Sequence, residues 1–136
     1  MAKLGFLGLG IMGSRMGQRI QSAGFPLTVY NRTPTRAEAL VAAGAHLAAT
    51  PREAAAGADI VIAMVADDDG SRAMWLGERG ALQGARAGAV LVESSTLTVG
   101  WVTELAAEAA RRGCELVDAP VTGSKNQAAA GELNFL

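Results

Sequence analysis

The stretch Lys3-Leu4-Gly5-Phe6-Leu7-Gly8-Leu9-Gly10-Ile11-Met12-Gly13-Ser14-Arg15-Met16-Gly17-Gln18-Arg19-Ile20 changes its period midway. Lys3 to Gly8 is almost continuously apolar, as in a strand buried on both faces, whereas Met12, Met16 and Ile20 recur every fourth residue and stripe one face of a helix. Leu9-Gly10-Ile11 separates the two. The same alternation continues through apolar runs at Pro26 to Asn31, Ala58 to Val65, Gly88 to Val92 and Cys114 to Asp118, with a weaker short strand expected at Ala45 to Ala48. Helical stretches lie between them, one striped by Val99, Val102, Leu105 and Ala109. Thr33-Pro34 and Thr50-Pro51 place a capping hydroxyl before a first-turn proline, and Gly24, Gly44 and Gly113 follow helical runs where a left-handed residue closes the last turn. Strand alternating with helix predicts a doubly wound α/β domain, a Rossmann-type parallel sheet with helices on both faces. Ligands of such sheets bind outside the carboxyl ends of the strands.

The 136 residues, half of them apolar, suffice for one domain. A formal charge of −1 without basic or acidic runs offers no electrostatic attraction to nucleic acid or an anionic membrane, so a small-molecule partner is expected. The single cysteine, Cys114, cannot form an internal disulfide, and the amino terminus does not read as a secretion signal, so a cytoplasmic location is expected. No apolar run approaches the roughly 20 residues of a membrane-spanning helix. The closing GELNFL reads as a strand stopped in mid-course, so residues 1–136 are expected to form one dinucleotide-binding domain truncated at its carboxyl end.

Gly8-Leu9-Gly10-Ile11-Met12-Gly13 is a G-x-G-x-x-G in the context that gives it meaning, between a strand and an amphipathic helix. Gly8 permits the turn, Gly10 lets a pyrophosphate approach the backbone, and Gly13, with Gly17 as a further candidate, lets the helix close on the sheet. The phosphates would sit at the helix N-terminus, where unpaired N–H groups and the helix dipole favour negative charge. The second strand exits through Asn31-Arg32-Thr33, without the acidic residue that binds the ribose hydroxyls of NAD. Arg32 offers a guanidinium for a 2′-phosphate, Arg36 a second charge one turn later, and Thr33 a hydroxyl that either donates to the phosphate or caps the next helix. NADP(H) is therefore the expected cofactor.

Further along, Met64 and Val65 supply apolar surface for the dinucleotide. Asp67, Asp68 and Asp69 read as caps for the helix at Ser71 to Trp75 rather than as magnesium ligands, because adjacent side chains diverge. In Glu93-Ser94-Ser95-Thr96 the hydroxyls could bond a nicotinamide amide or a substrate, or cap a helix starting near Thr98; Thr96 is taken as the functional candidate.

Taken in order and spacing, GFLGLGIMG, YNRT, VESST and DAPVTGSKNQAAAGEL resemble the β-hydroxyacid dehydrogenases, which include 3-hydroxyisobutyrate dehydrogenase, tartronate semialdehyde reductase and glyoxylate/succinic semialdehyde reductase. Asp118 to Ser124 is the most specific segment. The resemblance implies that Thr122, Gly123 and Ser124 bind a substrate carboxylate, threonine standing where the family usually has serine, and that the partner is a small carboxylate-bearing aldehyde or hydroxy acid. The Gly123-Ser124-Lys125 variant and Asn-Arg-Thr look more like the NADPH-dependent glyoxylate and succinic semialdehyde reductases than the NAD-linked 3-hydroxyisobutyrate enzymes. Imine reductases share a similar glycine loop and Asn-Arg-Thr, but their later segments do not usually read Asp-Ala-Pro-Val-Thr-Gly, and 6-phosphogluconate dehydrogenase has a different corresponding strand. The family's proton-donating lysine and its supporting asparagine lie in an all-helical second domain absent from this chain, so no catalytic residue is expected before Leu136. Any homo-oligomer would form through that domain.

The remaining candidates are weak. Lys3 begins the first strand, at the wrong end of the sheet, and Lys125 reads as a solvated loop charge. His46 is far from any other ligand type, Cys114 behaves as a small apolar residue, and Trp75 and Trp101 fit packing or an interface. A nucleotide-binding module without catalysis is the alternative from another functional class.

Overall fold

A computed structural model describes residues 1–122 and 125–135. Six parallel strands form one sheet: β1 (Leu4–Leu7), β2 (Leu27–Tyr30), β3 (His46–Leu47), β4 (Ile60–Ala63), β5 (Val90–Glu93) and β6 (Glu115–Asp118), in the order β3-β2-β1-β4-β5-β6. The chain therefore runs outward from β1 in one direction, returns across it, and runs outward in the other. β1 is central, Leu4 aligning with Leu27 on one side and Ile60 on the other. The short strand expected near Ala45 is β3, paired with β2 through Thr28 and Val29.

The crossovers are α1 (Ile11–Ser22), a 3-10 turn (Pro34–Ala37) running into α2 (Glu38–Ala42), α3 (Pro51–Ala55), α4 (Asp68–Trp75), α5 (Ala81–Gly84) and α6 (Val99–Arg111). Alternation along β1 decides which layer each side chain joins. Leu7 meets Val61, Leu91, Trp75, Trp101 and Leu105 on one face, while Leu4 and Phe6 meet Val29, Met16 and Leu40 on the other. Side chains of this size contribute roughly 1.5–3 kcal/mol each by burial. After β6 the chain forms a small antiparallel pair, β7 (Val121–Thr122) with β8 (Asn134–Phe135), joined through α7 (Lys125–Ala130), which packs on α1 and buries Ala128.

Three expectations need correction. Cys114 to Asp118 is not buried on both faces: β6 is an edge strand, Cys114 just before it is buried in the core and Leu116 packs against the same cluster, but Val117 is 44% exposed. In α6 the buried stripe runs through Trp101, Leu105 and Ala109, and Val99, in the first turn, is 84% exposed. Thr50 caps α3 by accepting from the Glu53 N–H at 3.1 Å, but the Thr33 hydroxyl makes no capping bond, because the chain enters a 3-10 turn there. Gly24, Gly44 and Gly113 all carry the expected positive φ.

Candidate functional site

Where the strand order reverses, the exits of β1 and β4 diverge and leave a cleft of about 810 Å³, lined by residues from the β1, β2 and β4 exits and the start of α4. Gly8 leaves β1 with φ +97°, and a side chain there would overlap the Met64 carbonyl oxygen of the neighbouring exit. Gly13 has no more room: a methyl on it would run into the Gly8 carbonyl and lie 3.3 Å from the Phe6 ring. These two glycines let α1 close on the sheet. Gly17, the further candidate for that role, instead faces Leu40 of α2 at ordinary contact distance, 3.4 Å. Gly10 differs from all three, since a methyl on it would meet nothing within 4 Å. It is the N-cap of α1, without a side-chain cap, and the first bond the helix makes runs from the Ser14 N–H to the Gly10 carbonyl. The N–H groups of Ile11, Met12 and Gly13 thus have no helical partner at the cleft wall, and no acidic side chain occupies the first turn. Such unpaired N–H groups, with the helix dipole behind them, can hold an anion.

Asn31 ties the glycine loop to the second exit. Its Oδ1 accepts from the Leu9 N–H at 2.9 Å and its Nδ2 donates to the Thr33 carbonyl at 3.0 Å. Arg32, Thr33 and Arg36 line the same cleft and are exposed, and neither guanidinium forms an ion pair with a described residue. Met64 and Val65 form the wall opposite. Two predicted residues are not brought to the cleft: Leu9 is buried in the core with its N–H committed to Asn31, and Thr96 lies one strand farther on, exposed at the β5 exit. Thr122 lies in β7, and Gly123 and Ser124 fall outside the described residues.

Of the three aspartates expected to cap α4, one is seen to do so and a second bonds elsewhere. Asp67 is the N-cap, accepting from the Gly70 N–H at 2.8 Å. Asp68 accepts from both the Thr98 hydroxyl, at 2.5 Å, and the Thr98 N–H, at 3.0 Å, and these bonds hold its carboxyl below the ordinary aspartate range. Among the described residues no group of three His, Cys, Asp or Glu side chains could hold a metal ion.

Sequence reasoning missed a buried hydrogen-bond network beside the cleft. Glu93, at the end of β5, has no exposed surface. Its Oε2 accepts from the Ser71 hydroxyl at 2.6 Å and from Trp75 Nε1 at 2.8 Å, while Oε1 accepts from the Ser95 N–H at 3.0 Å. Trp101 Nε1 donates in turn to Ser71 Oγ at 2.9 Å, and Ser95 Oγ accepts from the Val65 N–H at 2.8 Å. Both tryptophans thus anchor polar contacts as well as packing. The available signal was Glu93 itself, an acid ending an otherwise apolar run. Ser94, also buried, has no partner for its hydroxyl among the described residues.

A doubly wound parallel sheet, a glycine loop opening a helix at the switch point and a cleft running from there to the second strand exit define the class: a dinucleotide-binding domain. Residues 3–136 match the family described as the NAD binding domain of 6-phosphogluconate dehydrogenase, and the chain belongs to that family, with 3-hydroxyisobutyrate dehydrogenases among its structural neighbours. An uncharacterized oxidoreductase of Bacillus subtilis, YfjR, is 42% identical over 98% of this chain and 47% of its own length. The human cytokine-like nuclear factor N-PAC is 39% identical over 98% of this chain and 24% of its own. The structure of Mycobacterium tuberculosis 3-hydroxyisobutyrate dehydrogenase with L-serine superimposes with a TM-score of 0.90 at 34% identity, covering 99% of this chain and 45% of that one. The chain spans about half the length of the YfjR protein and of that dehydrogenase. Among the described residues no helix is long and apolar enough to cross a membrane.

Proposed function

We propose that this domain binds NADP(H) in preference to NAD(H), serving an oxidoreductase that moves hydride to or from a small β-hydroxyacid, semialdehyde or keto acid. The observation that carries the cofactor choice is the β2 exit: Arg32 and Arg36 line the cleft without ion-pair partners among the described residues, and Asn31 to Thr33 put no carboxylate there to repel a 2′-phosphate. The two cleft carboxylates, Asp67 and Asp69, belong to the start of α4, where Asp67 is engaged in capping.

In this reading the glycine loop holds the pyrophosphate against the N–H groups of Ile11, Met12 and Gly13, and Asn31 fixes the spacing between that loop and Arg32. The nicotinamide supplies the hydride. Toward its end of the cleft, Met64 and Val65 offer apolar surface, while the Thr96 hydroxyl, one strand beyond the cleft lining at the β5 exit, would be met only by a nicotinamide that extends past β4. The substrate carboxylate falls to Thr122, Gly123 and Ser124 by family resemblance, and the same resemblance favours glyoxylate and succinic semialdehyde as substrates. The proton would come from a lysine of the full-length protein. We place the protein in the cytoplasm, where the unpaired Cys114 would stay reduced.

Titrating the chain with NADPH and NADH tests the proposal. Tighter binding of NADPH is expected, and equal affinities would refute it. A second reading, a nucleotide-binding module without catalysis, is favoured by one observation: the 39% identity to N-PAC, whose name is not that of an oxidoreductase. A full-length sequence with a lysine and an asparagine one helical turn apart supports the enzyme.

A further inference from the structure

We propose that Glu93 is a positioning residue for the nicotinamide side of the cleft, acting through Ser95. The inference rests on the cleft being a dinucleotide site. Strand order supplies the geography: β2, with Arg32 at its exit, lies on one side of β1, and β4 and β5 lie on the other. A dinucleotide whose phosphates sit at the β1 exit and whose 2′-phosphate meets Arg32 must extend its nicotinamide toward β4 and β5.

On that side the β4 exit hangs on a hydrogen bond from the Val65 N–H to Ser95 Oγ, and Ser95 is oriented by the bond from its own N–H to Glu93 Oε1. The other oxygen of Glu93 is held by Ser71 and Trp75, both on α4, the helix that Val65 leads into. One buried carboxyl therefore sets the β5 exit, the β4 exit and α4 relative to one another. Asp68 fastens the same loops at the surface through its two bonds to Thr98.

The hydrogen-bond directions make the idea testable. All three partners of Glu93 donate to it, Ser71 through its hydroxyl hydrogen while its oxygen accepts from Trp101 Nε1. A glutamine has one acceptor oxygen. If that oxygen faces Ser71 and Trp75, the amide nitrogen confronts the Ser95 N–H, donor against donor, and the β5 exit loses its anchor.

The experiment compares Glu93→Gln with wild type, both shown to be folded by thermal melts. Two ligands are used: NADPH, and 2′,5′-ADP, which keeps the adenosine and its phosphates but lacks the nicotinamide. Amide exchange is followed in the ligand-free protein. NADPH should weaken by about tenfold while 2′,5′-ADP changes less than about twofold. Exchange should speed up at Val65 and Ser95 but not at Val61 or Leu91. Unchanged NADPH affinity, equal weakening of both ligands, or unchanged exchange at Val65 and Ser95 would each overturn the assignment. Should Glu93→Gln not fold, Ser95→Ala removes the acceptor of the Val65 N–H while leaving the contacts of Glu93 with α4, and the same selective loss is expected. Wild type that binds neither ligand would refute the proposed function. Wild type that binds both, with a variant that shows no selectivity, refutes this inference alone.

Discussion

Gly10→Ala should separate binding from folding. The residue sits at φ −70°, ψ −164°, an extended conformation open to alanine, and the added methyl finds no atom within 4 Å. Nothing in the ligand-free protein resists the change, and the unfolded chain loses freedom, so stability should rise by about 0.4–1 kcal/mol. Binding should move the other way. The methyl would stand in open space at a residue that lines the cleft, where in the proposed function a pyrophosphate approaches the backbone. Losing even one charge-assisted hydrogen bond there costs about 1.5–3 kcal/mol, or roughly 10- to 150-fold in affinity. Gly13→Ala is the control: its methyl collides with the Gly8 carbonyl, backbone on both sides, so it should lower the melting temperature sharply. Thermal melts and NADPH titration of the two variants are the assay. A Gly10→Ala protein that melts no lower than wild type yet binds NADPH within twofold of it would refute the placement of the pyrophosphate.

Arg32→Ala should weaken NADPH about tenfold or more and leave NADH nearly unchanged, as read by parallel titrations, because one charge-assisted phosphate contact is lost. The 136-residue chain should bind NADPH yet oxidise it with neither glyoxylate nor succinic semialdehyde; turnover at an ordinary enzymatic rate that Lys125→Ala abolishes would show that the acid lies inside this chain. Asp68, whose carboxyl is held below its ordinary value of 3.8, chiefly by the Thr98 hydroxyl and then by the Thr98 N–H, adds stability above that value and loses it as pH falls further. Melts of Asp68→Asn across pH 2 to 6 should therefore show a lower plateau and a shallower acid limb than wild type. Burial raises the thiol pKa of Cys114, so a maleimide at neutral pH should label it slowly in native protein and rapidly in denaturant.

The sheet was legible because parallel strands buried on two sides are written as apolar runs, and the glycine loop because backbone proximity tolerates no other residue at Gly8 or Gly13. Where a reading failed, the deciding contact lay far away in sequence. Nothing near Leu9 announces that its N–H belongs to Asn31, 22 residues on. Trp101 takes the buried place expected of Val99 because its indole reaches Ser71, 30 residues earlier. The Glu93 network joins residues 71, 75, 93, 95 and 101, and no period or spacing marks such a set. The edge position of β6 was hidden for another reason: Cys114, Leu116 and Val117 read as part of an apolar run despite Glu115 between them, and only the strand order puts it outermost.

That outermost strand also bears on whether two copies of this chain could pair edge to edge. An uncovered row of peptide groups invites a second copy to extend the sheet. In β6, however, the apolar pair Leu116 and Val117 is bracketed by Glu115 and Asp118, both exposed. Two copies joining antiparallel about the strand centre would set Glu115 of each directly opposite Asp118 of the other, so like charges face each other twice, the arrangement that disfavours cross-strand pairing. The edge is thus defended by repulsion rather than by cover. Such a defence thins as salt rises, because exposed charges are screened beyond about 10 Å at 0.1 M and about 3 Å at 1 M.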